Sequence, residues 1–140
     1  MELHFSTSPR YEYVAIKARA EEILGEELEA PDPSKAKDAY LLFHKNHPIQ
    51  CKDAQVPAQT AILAAHQPID IAAYSGDIQQ SWGFRDCASI LSQSRHTLLV
   101  TEMMARLLPP GDRVHLFHGV LQAVIEVTQP DALVFKHSQQ

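Results

Sequence analysis

The order strand, helix, strand across residues 97–135 constrains this chain more than any other feature of its sequence. Thr97 to Thr101 (TLLVT) is rich in leucine and β-branched residues and reads as a strand core. Pro109-Pro110-Gly111 breaks the chain, and Asp112 then caps a helix that runs to about Val127. Val114, Phe117, Leu121, Val124 and Ile125 recur on one face of that helix. Pro130 ends it, and Ala132 to Phe135 (ALVF) forms a last strand. Two strands joined through a helix can lie parallel, with a right-handed crossover.

Upstream, residues 2–6 (ELHFS) alternate as a short first strand. Ser8-Pro9 is a helix start, with a capping hydroxyl followed by proline at a position whose N–H is unpaired anyway. The helix is expected from Pro9 to Leu24 or Leu28, with Gly25 interrupting the pattern. Ala30 to Lys37 carries two prolines and is a loop. Ala39 to His44 reads as a buried strand, Asn46-His47-Pro48 as a turn, and Ile49 to Val56 as the hairpin partner. Pro57 breaks the pattern. Ala58 to Ala65 is a short apolar run taken as a strand from its length and flanking prolines. A helix from about Gln80 to Gln93 would place Trp82, Cys87, Ile90 and Leu91 on its apolar side. Met103 to Leu108 fits strand and helix equally. The sum, β-α-β-β-β-α-β-α-β, predicts an α+β (mixed α/β) fold, a single mixed sheet with about three helices packed on it.

The chain has 140 residues, the size of one domain, and its apolar fraction of 45% is enough for one core. Residues 1–140 are therefore read as a single α/β domain. Twelve basic residues against 17 acidic ones give a net charge of −5, which argues against a nucleic-acid footprint. No run approaches the ~18 apolar residues that a membrane span needs. The N-terminus lacks the pattern of a secretory signal, and two cysteines make no disulfide framework. The expected compartment is the reducing cytoplasm.

Eight histidines stand out. His115 and His118, at i and i+3 on the last helix, lie on one face and could share a metal with a third group such as His96, Cys87, Glu126 or Asp112. The alternative is that they are ordinary surface histidines. Cys87 with His96 invites a nucleophile–base reading, but Cys87 falls on the apolar side of its helix, where a thiol acts as a small hydrophobe. Phosphate-cradling, nucleophile-elbow and zincin motifs are missing, and no spacing ties Asp70, Asp77 and Glu102 into a carboxylate pair. No cofactor is expected. Trp82, the only tryptophan, is read as packing on the core. The acidic stretch holding Glu22, Glu26 and Glu29 is a solvated helix face or a docking surface for a basic partner.

Gln80-Ser81-Trp82, Arg95-His96-Thr97-Leu98-Leu99-Val100-Thr101, Arg113, Leu116, Leu121, Pro130-x-Ala132 and Ser138-Gln139 together resemble the bacterial domain of unknown function 4261 family, over residues 55–140. The resemblance implies an α/β fold and a bacterial origin and assigns no catalytic residue. Family members continue beyond the Ser-Gln segment, so the resemblance also implies a chain truncated at its C-terminal end. The expected function is a non-enzymatic protein-interaction domain of accessory or immunity type, with another protein as partner and a homo-oligomer as a further option. The alternative is a metal- or small-ligand-binding domain, such as a hydrolase fragment, built on His115 and His118.

Overall fold

The first strand made is the one that ends near the middle of the sheet. The computed structural model describes residues 1–136, and its five strands are β1 (Glu2–Phe5), β2 (Ala39–Cys51), β3 (Ala54–Ala65), β4 (His96–Met103) and β5 (Ala132–Val134). They form one sheet in the order β2-β3-β4-β1-β5, and every ladder in it is antiparallel. β4 and β5 both run against β1, so they point the same way but never pair. The strand–helix–strand unit is present with β1 inserted between its two strands.

Alternation decides what each strand buries. Leu3 and Phe5 of β1 point to the same side as Tyr40, Leu42, Ile62, Leu98 and Val100, and all are buried. Against them pack α1 (Tyr13–Leu24) and α4 (Pro110–Thr128), through Ile16 and Ala20 of the first and Val120, Ala123 and Val124 of the second. Each large aliphatic side chain taken fully out of water contributes about 1.5–3 kcal/mol. The other side of the sheet carries a smaller core over β1 and β5. There Tyr74, Cys87 and Leu91 meet Ala132 and Val134, supplied by a short 3₁₀ turn (Ile71–Tyr74) and by α3 (Cys87–Ser92).

The α+β class, the single sheet and the helices packed on it are as the sequence indicates, with four helices counted. Several boundaries differ. The first helix begins at Tyr13 rather than Pro9, with Glu12 in extended backbone before it, so Ser8 caps nothing. It ends at Leu24 because Gly25 takes the left-handed conformation (φ 68°) and its N–H closes on Glu21 O at 2.9 Å. Asn46-His47-Pro48 is no turn. β2 runs straight through it with a register shift between His44 and Pro48, and the hairpin reverses at Lys52-Asp53. Pro48 is tolerated because β2 is an edge strand, and Pro57 because the β3–β4 ladder ends at Gln59 and Met103, before that proline needs a second partner. Of the long helix expected over residues 80–93 only α3 forms; α2 (Ser75–Gln80) ends where that helix was to begin, and a link that contains Gly83 separates the two. The last helix starts at Pro110, in the N1 position, and Asp112 lies in its first turn instead of capping it. Among the described residues no helix is long and apolar enough to cross a membrane.

Candidate functional site

The side of the sheet away from α1 and α4 is only partly covered. The 3₁₀ turn at Ile71–Tyr74, α2 and α3 gather over β1 and β5. Over the other three strands the ladders define rows Ala39–Leu63–Leu99, Leu41–Ala61–Thr101 and Phe43–Gln59–Met103. None of these nine residues is charged, and seven are apolar. Leu63 is 38% exposed and Met103 44%, while Leu41, Phe43 and Leu99 are half-buried by their neighbours. An antiparallel sheet with one solvated face ordinarily alternates apolar-in with polar-out. Here the outward positions are apolar as well, which marks a surface suited to a partner. The outer edge of β2 beside this face is shielded, because Glu29 exchanges backbone hydrogen bonds with Phe43 (3.1 and 2.7 Å).

A second apolar feature lies at the opposite edge. An open groove of about 700 Å³ runs beside β5, with Phe84, Ile125, Pro130 and Leu133 in its walls. Two residues from Phe84, Trp82 is 89% exposed. The expectation that this indole packs on the core is overturned. The link between α2 and α3 carries it outward, whereas one continuous helix would have turned it in.

Two polar clusters are buried at positions marked in the sequence only by isolated histidines. His4 on β1 is fully buried and holds Glu2 Oε2 through Nε2 (3.2 Å), with Ser94 Oγ and Thr97 Oγ1 near Nδ1 (3.1 and 3.3 Å). The Tyr74 hydroxyl donates to the same Glu2 carboxylate at 2.8 Å, and Lys136 stands over the Tyr74 ring. The His4 hydrogen bond, against opposition from burial, holds Glu2 below the usual carboxylate range. Carboxylate, imidazole and hydroxyl follow one another as in a nucleophilic triad, but Ser94 is only 1% exposed, so a substrate has no access to its Oγ. The cluster ties β1 to β4 and to the Tyr74 turn.

The other cluster centres on His44, also 1% exposed, whose Nε2 meets Thr60 Oγ1 at 2.8 Å. Its Nδ1 has no partner, nor has Oε1 of Glu26, whose other oxygen bonds His47 Nε2 at 3.1 Å. Burial lowers the His44 pKa to about 4; Glu26 pulls it up and His47 pushes it further down. A cavity of about 10 Å³, close to the size of one water, adjoins His44, Thr60 and the Glu102–Arg113 ion pair.

His115 and His118 sit exposed on α4, and no group of three potential metal ligands converges among the described residues. Glu126, offered as a third ligand, is engaged by Arg19 and Gln122. Cys87 is buried in the smaller core, and His96 instead faces His66. Of the three glutamates, Glu22 is exposed and pairs with Arg19 at 2.7 Å, Glu29 is exposed beside β2, and Glu26 is turned inward onto His47. The Ser138-Gln139-Gln140 tail lies outside the described residues. Compared with known proteins, the chain matches no family model, no curated protein and no solved structure.

Proposed function

We propose that this chain is a non-enzymatic protein-interaction domain that docks through the uncovered face of β2, β3 and β4, and that the occupant of that face is a second copy of the same chain. The observation that carries the reading is the uncharged character of all nine positions in these three rows, where Leu63 and Met103 are exposed and Ala61 is buried between its neighbours, in a protein of net charge −5. Two copies repel through the rest of their surface, and an uncharged apolar face is where they can approach. A two-fold interface must be complementary to itself, which an apolar sheet satisfies without matched charges. Two such sheets stack about 10 Å apart with their side chains interdigitated.

Sedimentation velocity over a range of concentrations tests this, comparing the parent with Leu63→Glu and Met103→Glu. A parental dimer that both variants convert to monomer, while Trp82→Ala remains dimeric, supports the reading. A parent that stays monomeric throughout removes self-docking and leaves the face to a different protein.

A further inference from the structure

At the far end of the β3–β4 ladder, beyond its last pair Ala65 and Thr97, His66 and His96 come face to face. Alternation puts them on the opposite side of the sheet from the apolar rows. Their Nδ1 atoms are 3.0 Å apart, with ring centroids 5.2 Å apart and ring planes at 63°. On the far side of His66, Nε2 lies 3.4 Å from Asp38 Oδ1, just ahead of β2. The cluster is open, with the His66 side chain half exposed.

The carboxylate biases the protons. Asp38 Oδ1 lies 3.4 Å from His66 Nε2, where its charge favours the proton on that nitrogen and leaves the His66 lone pair on Nδ1, facing His96. His96 then donates its Nδ1–H to that lone pair and keeps its other nitrogen for solvent. If the His96 proton moves to Nε2 and the two rings turn so that their Nδ1 lone pairs converge instead of facing each other, both become available to one cation, and neither imidazole changes its charge. Carboxylate to imidazole to cation is the arrangement in which an outer carboxylate orients a ligating histidine. The separation also discriminates between metals. At metal–nitrogen distances of about 2.0–2.1 Å, nitrogens 3.0 Å apart subtend roughly 95°, the cis angle of a tetragonal centre and well short of a tetrahedral one. Copper(II) has that preference and stands highest in the divalent affinity order. With no third protein ligand in reach among the described residues, water completes the coordination.

The geometry points to His66 and His96 as an open two-imidazole site for copper(II), with Asp38 as the positioning carboxylate. This site is separate from the docking face and does not depend on it.

The test uses protein without a histidine tag, in a His115→Gln/His118→Gln background that removes the exposed pair on α4. Copper(II) is titrated by calorimetry, and nitrogen coordination is read by electron paramagnetic resonance. One saturable equivalent is expected, bound more tightly than zinc. His66→Asn and His96→Asn should each weaken it at least about tenfold with loss of nitrogen coupling, and Asp38→Asn about tenfold with the coupling retained. Absence of saturable binding, or a His66→Asn/His96→Asn double variant that binds as the parent does, overturns the proposal.

Discussion

Gly119 of α4 lies against Leu24 of α1 with no room for a side chain between them. A Cβ at 119 would stand 2.8 Å from Leu24 Cγ and closer still to its Cδ2. The two helices that roof the main core depend on this approach. Gly119→Ala should therefore destabilise the fold by about 1–3 kcal/mol, despite alanine's better helix propensity. In a Leu24→Ala background the clash is gone, and the same change should become neutral or mildly stabilising. Urea unfolding of the four proteins closes this double-mutant cycle.

Trp82 makes a simpler prediction. An indole 89% exposed contributes little to the folded state, so Trp82→Ala should change stability by no more than about 0.5 kcal/mol. As the chain's one tryptophan, it should emit as a solvated indole and be quenched nearly as fully by iodide in the native protein as in urea. A blue-shifted, protected emission would contradict the outward link between α2 and α3.

His44 sets a pH dependence. Folded, its pKa is about 4; unfolded, it returns to about 6.5. Between those values the unfolded chain binds a proton that the folded chain refuses. Stability is thus fully present above about pH 6.5, falls as the pH drops, and has lost this contribution by about pH 4, on the order of 3 kcal/mol in all. Glu2, whose pKa is lowered, adds its own loss as the pH falls from about 4.5, the unfolded carboxylate value, towards its lower folded one. Urea midpoints between about pH 5 and 7 should slope in the parent and flatten in His44→Gln.

The His4 cluster should behave as a structural brace. His4→Leu fits the volume but takes one hydrogen-bond partner from the Glu2 carboxylate, which keeps Tyr74, and one from the buried Ser94 hydroxyl, and is expected to cost about 1–3 kcal/mol. Calorimetric melting of His4→Leu beside Glu2→Gln, which keeps an acceptor for Tyr74 and His4, should show the larger drop for the first.

Legibility followed local physics. The final strand–helix–strand unit was readable because Thr97–Thr101, the helical spacing from Val114 to Ile125, and Pro130 all act within a few residues of themselves. Pro48 misled because a proline's effect in a sheet depends on whether its missing N–H has a waiting partner, and edge status is a property of the assembled sheet. Trp82 misled because helical spacing continued across a link that Gly83 in fact interrupts. The apolar rows were invisible for another reason. Leu41, Leu63 and Leu99 looked like core residues of buried strands, and only the placement of α1 and α4 on one side reveals that a whole sheet face was left without a roof. The His66–His96 contact joins residues thirty apart, brought together by β-register alone.

The insertion of β1 between β4 and β5 orders events during synthesis. Residues 2–5 leave the ribosome before the other strands, yet their neighbours are residues 96–99 and 132–134. That segment must wait, with Leu3 and Phe5 unburied, until those residues have emerged. The hairpin of β2 and β3 can close long before. The nascent protein therefore passes through a stage in which an apolar hairpin exists without β4 beside it and with β1 still unpaired, and its dependence on chaperones should peak there.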